Sequence, residues 1–249
     1  MQGVDSFIQA RHFKRGHTSR QLWVIHDEEY PERPDSAERV GQYFATVTRP
    51  ASAHACVDNN SIVGCVDWKD TAYHAGSSSA NARSIGIEHS GYAHQTRAEW
   101  LDMYGLDMLD RSARLYADVG YSTFHILPYR LTLSQIRAIC YGTDTTTTGI
   151  CSHGDITRAL SIRGGHTDPG PNFPWDWFLA RCQHYTLTPL PPKDDDMGYA
   201  DWSKTDKEAF IADVRKAILY PLTGSQPVHP EHDDEWMNLS KLANQIANK

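Results

Sequence analysis

Two short runs, LWVIH ending on His26 and RSIGIEHSG from Arg83 to Gly91, limit what this chain can fold into more than any other feature. Both are too short for a helix; the first is apolar and rich in β-branched and aromatic residues, and the second reads as a buried strand. In the second, Ile85 and Ile87 alternate with Gly86 and Glu88. Further strands are expected at Arg11–Lys14 and in two alternating runs, Ala53–Asp58 and Ser61–Trp68, around the hairpin signal DNN. Helical spacing covers Ser36–Thr46, with Ser36 as its cap, then Gln95–Val119 and Thr132–Cys140, with Thr132 or Ser134 as cap. Pro174–Gln183 fits a short helix with Pro in its first turn. The pattern predicts an α/β fold, a central mixed β-sheet flanked by helices, over residues 1–186.

The composition changes beyond that body. Residues 187–198 read as a Pro-rich, then acidic linker, and residues 199–249 as a small helical C-terminal appendage with amphipathic spacing at Phe210, Val214 and Ile218. A formal charge of −7 argues against a nucleic-acid partner. No apolar run is long enough to span a bilayer, so membrane insertion is not expected. The opening MQGVDSFIQARHFKRG lacks the apolar core and cleavage site of a signal peptide. It implies synthesis in the cytoplasm and release by another route. That setting favours free thiols for the five cysteines, although Cys56 and Cys65 flank the hairpin and a cross-strand disulfide is open.

Thirteen histidines carry more information. His26 ends a predicted strand, a rigid platform for a ligand. His153 sits in CSHGDI. Asp168 sits in GGHTDPGPNFPWDWF, a stretch in which prolines forbid a helix before about Pro174. Such a frame is either a rigid surface turn that opens a helix or a holder for a charged ligand. A catalytic zinc takes three protein ligands and keeps one open position. No H-E-x-x-H or clustered Cys/His motif is present, so spacing alone reaches a metal site only as one of these options. Glu88, on an otherwise apolar strand, is either a solvent-facing or Arg-paired carboxylate or a functional one.

LWVIHDEE, SAHACVDNNSIVGCV, TAYHAG, SIGIEHSG, SHGDI and TDPGPNFPW occur in that order. Together they resemble the zinc-dependent N-acetylmuramoyl-L-alanine amidases of type 2, which share a fold with peptidoglycan recognition proteins. The resemblance spans about Leu22 to Cys182, and the form HTDPGPNFPWD is most similar to endolysins of phages that infect actinobacteria. It implies a peptidoglycan substrate and Zn²⁺ held by His26, His153 and Asp168. It also implies Glu88 as general acid/base, with His54 and His74 lining the substrate or supporting the ligands. His54 is equally readable as a core histidine. Many relatives carry Lys where this chain has His166, two residues before the ligand Asp. His166 is then an oxyanion donor, a further metal contact or a solvent-facing residue. The resemblance also implies synthesis in a host cytoplasm and action on the cell wall after release. Two other readings stand beside it, a non-catalytic peptidoglycan-binding module and a zinc peptidase that cuts within the stem peptide. The oligomeric state is not readable.

Overall fold

The two apolar runs become neighbouring parallel strands in the middle of a six-stranded sheet. The computed structural model describes residues 1–187. Its strands are β1 (Ser6–Phe7), β2 (Phe13–Lys14), β3 (Leu22–Asp27), β4 (Ala55–Val57), β5 (Ile62–Gly64), β6 (Thr71–Ala72), β7 (Ser84–His89) and β8 (Gly149–Ser152). The helices are α1 (Ser36–Thr46), α2 (Ser78–Asn81), α3 (Arg97–Trp100), α4 (Met103–Leu115), α5 (Leu133–Tyr141), α6 (His153–Leu160) and α7 (Trp175–Leu187). The sheet order is β1-β5-β4-β7-β3-β8, and β2 pairs with β6 apart from it. Only β4 and β5, the predicted hairpin, run antiparallel within the large sheet; every other neighbour pair is parallel. The central mixed sheet with flanking helices is therefore present. The predicted linker, apart from Leu187, and the C-terminal appendage lie outside the described residues.

Side-chain alternation sorts the two faces. Leu22 and Val24 of β3 join Cys151 of β8 and Ile136, Ile139 and Ile156 of α5 and α6 in one buried cluster. Val40 and Phe44 of α1 pack with Cys56 and Val63 beside it. On the opposite face Trp23 meets Tyr116 edge-on, with ring centroids 5.5 Å apart. Tyr116 opens a π-helical extension of α4, Tyr116–Tyr121. Gly120 sits within it because a Cβ there would lie 2.9 Å from the Tyr116 ring and 3.0 Å from Trp23.

Three details differ from the sequence reading. Ser36 does not cap α1: its Oγ donates to Pro31 O and accepts from Arg33 N, and the helix N–H of Ala37 is taken by Asp58 Oδ2 at 3.1 Å. The same Asp58 closes the DNN turn by accepting from Asn60 and Ser61 N–H. One long helix over 95–119 is two, because Thr96 and Glu99 form a capping box for α3 and Asp102 then caps α4 through Gly105 N. The third is CSHGDI, to which the sequence assigns no element and which forms the end of β8 and the start of α6. Ser152 and Asp155 form a capping box at their junction. Thr132 caps α5 with Gln135, as one of the two expected options. The sulfurs of Cys56 and Cys65 are 3.9 Å apart, against about 2.05 Å in a disulfide, and all five cysteines are free thiols.

Helices α4 and α7 are joined by a partly buried charge network. Asp110 Oδ1 accepts from Arg181 Nε at 2.8 Å and from the Tyr185 hydroxyl at 2.8 Å, while Oδ2 accepts from Arg114 Nε at 2.9 Å. Burial alone would raise the Asp110 pKa, but Arg181 and Arg114 outweigh it and hold the carboxyl below its ordinary value. Asp110→Ala takes the carboxylate away from a buried Arg181. The expected cost is about 3 kcal/mol, read as a lower denaturant midpoint with an unchanged slope.

Candidate metal centre and active site

The site is built at the C-terminal ends of three adjacent parallel strands, where open parallel sheets place ligands. In the register of β3 against β7, His26 lies opposite Glu88. In that of β3 against β8, Ile25 lies opposite Ser152, so His153 follows beside His26 as the first residue of α6. The fourth part arrives from the proline-framed loop. Gly154 N donates to Asp168 O at 3.0 Å, and Asn172 Nδ2 donates to Gln95 O at 2.9 Å. Phe173 packs edge-on against Trp100, 5.2 Å between centroids, and Arg130 stacks on Trp175 at 3.5 Å. A Cβ at Gly170 would meet Ala93 O at 1.9 Å, so only glycine lets the loop lie this close to residues 91–95.

Held this way, Asp168 Oδ2 lies 2.9 Å from His26 Nδ1, and Oδ1 lies 3.2 Å from His153 Nδ1. One donor atom from each of His26, His153 and Asp168 falls within 4.8 Å of the others, and all three residues are buried. Burial would raise the Asp168 pKa, but the two imidazoles reverse this and keep the carboxyl ionised far below its usual range. Burial lowers the His26 pKa despite Asp168. The neutral imidazole has a lone pair to give.

The remaining predicted residues divide. Glu88 is only partly exposed, and burial first, then the charge of Asp168, pushes its carboxyl well above the ordinary value. His74 Nδ1 lies 2.9 Å from His26 Nε2, behind the donor triad. His54 is fully buried; its Nδ1 accepts from Gly86 N at 3.0 Å and its Nε2 faces Asp70 O at 3.1 Å. Both nitrogens are engaged inside the protein, which leaves His54 none for a substrate. His166 lies at the rim with its side chain 66% exposed, its ring stacked on His153 at 4.4 Å and its Nδ1 3.6 Å from Asp168 Oδ1.

The sequence profile of the N-acetylmuramoyl-L-alanine amidases matches residues 17–171, more than half of the chain, with His26, Glu88, His153 and Asp168 all inside the match. The chain belongs to the N-acetylmuramoyl-L-alanine amidase family. No curated protein matches the sequence. Among solved structures, the Staphylococcus aureus hydrolase AmiA, determined in complex with its ligand, is 16% identical with a TM-score of 0.52, over 73% of this chain and 84% of AmiA. A selenomethionine derivative of AmpD is 19% identical with a TM-score of 0.45, over 74% of this chain and 94% of that one. A mutant endolysin from Bacillus subtilis is 15% identical with a TM-score of 0.44, over 72% and 99%. At these identities the AmiA likeness is one of fold.

This amidase therefore acts on peptidoglycan with a site whose donor set suits a metal. Two imidazoles and a carboxylate form a nitrogen–oxygen set of the kind that binds zinc in open catalytic sites. Ligands on a tetrahedral zinc are about 3.4 Å apart, near the 2.9 and 3.2 Å that separate the Asp168 oxygens from the two imidazoles. Asp168 Oδ1 is buried and has no well-aligned hydrogen bond, although His153 Nδ1 lies 3.2 Å away, and a cation between the two would satisfy both. Sequence reasoning overlooked five neighbouring residues. Asp27, next to His26, keeps a buried Oδ2 without a hydrogen bond, and its carboxyl is pushed up to about 8 by burial and then by Asp168. Ser84 and Gly86 of β7 contact His74. The Ser152–Asp155 capping box that aims His153 was legible as S-x-x-D. Among the described residues no helix is long and apolar enough to cross a membrane.

Proposed function

We propose that this amidase is a zinc enzyme that hydrolyses the bond between the lactyl group of N-acetylmuramic acid and L-alanine. The observation that carries the reading is the meeting of His26, His153 and Asp168 around Asp168 Oδ1. These three residues would hold the ion, which when bound polarises a carbonyl and acidifies water. On this reading Glu88, opposite His26 on the neighbouring strand, takes a proton from the attacking water and delivers it to the leaving nitrogen of L-alanine. An amine leaves poorly unless it is protonated. Burial makes Glu88 the stronger base, and a bound cation would oppose the shift and keep the carboxylate available to take the proton. His166, exposed at the rim, can offer a ring N–H to the developing oxyanion, where relatives carry Lys. The reading extends to a phage endolysin that reaches the wall after release, supported by the form HTDPGPNFPWD.

Digestion of purified peptidoglycan with the full chain tests the reading. Mass spectrometry is expected to find intact stem peptides with a free L-Ala amine. Activity should disappear with a chelator and return with zinc. Cleavage within the stem would make it a peptidase, and binding without product would make it a recognition module. Undiminished activity after metal removal would end the zinc assignment.

A further inference from the structure

His74 is 8% exposed, too enclosed to present much surface to a substrate, yet it is in direct contact with a donor of the triad. Its surroundings form a hydrogen-bond chain that can run in either direction. An ionised Asp168 Oδ2 alone takes an N–H from His26 Nδ1 at 2.9 Å; His26 Nε2 then accepts from His74 Nδ1, and His74 Nε2 from the Ser84 hydroxyl. A metal on His26 Nδ1 needs that lone pair and reverses the chain. His26 Nε2 then donates to His74 Nδ1 at 2.9 Å, and His74 Nε2 to Ser84 Oγ at 2.9 Å. The Ser84 hydrogen turns to Ala80 O, 2.8 Å away, which also accepts from Arg83 N at 2.9 Å.

The geometry points to His74 as a positioning residue that, set by the Ser84 hydroxyl, fixes the tautomer and ring angle of His26 for the metal. The chain around it is shaped for this. A Cβ at Gly86 would lie 2.5 Å from the His74 ring, so glycine at that position lets the ring rest against β7. The His54 ring closes the other side, 5.8 Å away and edge-on. Asn81 Oδ1 accepts from the backbone N–H groups of His74 and Ala75 at 3.2 and 2.8 Å and fixes the segment. Outer partners of this kind orient a ligating imidazole and raise its basicity. The inference rests on the zinc reading above.

Zinc affinity of the full chain, measured by competition with a chromogenic chelator, tests it without reference to turnover. Ser84→Ala and His74→Phe are each expected to weaken zinc binding by about 10–100-fold. Ser84→Thr, which keeps the hydroxyl, should restore most of it. In the zinc-loaded parent, long-range proton–nitrogen correlation should place the His26 hydrogen on Nε2. A hydrogen on Nδ1 would overturn the inference, and this measurement stands even where His74→Phe fails to fold. So would Ser84→Ala binding zinc within about twofold of the parent, well inside the loss expected for an outer partner. If the parent itself binds no zinc, the metal reading falls and this inference with it; if the parent binds and the variants bind equally, only this inference falls.

Discussion

Replacing Glu88 by glutamine is expected to lower turnover by about 10²–10⁴-fold, the usual reach of general acid/base catalysis, with bound zinc and fold unchanged. Glu88 pairs in register with His26 on a parallel neighbour, so the two side chains leave the sheet on the same face, with strands about 4.8 Å apart. Glutamine keeps the volume and the partial exposure and removes only the capacity to take a proton. Full wall-lytic activity in the glutamine variant, with zinc content equal to that of the parent, would take Glu88 out of the mechanism. The same substitution should leave a mark on stability. Burial, followed by Asp168, Glu28 and Asp27, raises the native pKa of Glu88 above its unfolded value. Between those two values the folded state holds more protons than the unfolded one, so stability falls as pH rises through that window. Glu88→Gln removes this loss. With metal chelated, its melting temperature should gain on the parent's as the pH is raised from the ordinary glutamate pKa towards neutrality. Zinc opposes the effect by favouring the carboxylate. A difference that stays flat with pH would mean that Glu88 is not desolvated in solution.

How much of this was legible depended on the distance along the chain over which each interaction acts. Strand Leu22–Asp27 is written in a short apolar β-rich run, strand Ser84–His89 in local alternation and helix Ser36–Thr46 in local periodicity. The break between α3 and α4 was also local, in the Thr96–Glu99 box and Asp102, and was obscured by apolar spacing that continues across it. Asp58 capping Ala37 was not legible, because a turn 21 residues away supplies the acceptor. The triad is the extreme case, since 142 residues separate His26 from Asp168. Spacing says nothing about such a pair, and the resemblance to known amidases supplied it. His54 and His74 show the limit of reading by motif. Both lie in matching segments, yet one clamps Gly86 to the Asp70 carbonyl and the other abuts the triad. The direction of each ring is set by β7, which no local pattern at position 54 or 74 encodes.

Asp168→Asn is expected to cost more zinc affinity than the loss of any outer partner, because it replaces a first ligand by a neutral amide. The carboxylate is the only negative donor of the triad, and it touches both imidazoles. Asparagine is nearly isosteric. The loop that carries it is held elsewhere, by Gly154 N on the backbone carbonyl, by Asn172 on Gln95 and by Phe173 against Trp100. The fold should therefore persist, and the loss should appear as missing linkage to zinc. A ligand at 1,000 times its Kd stabilises a protein by about 4 kcal/mol, or about 10 °C in melting temperature for a domain of this size. The parent should show that rise when zinc is added to chelator-treated protein, and Asp168→Asn should not. Melting of the two proteins without metal separates this from simple damage, because a damaged loop would lower the variant's transition before any zinc is present. An equal rise in parent and variant would leave two imidazoles as the whole metal site, and would reduce Asp168 to a charge partner that holds them in place.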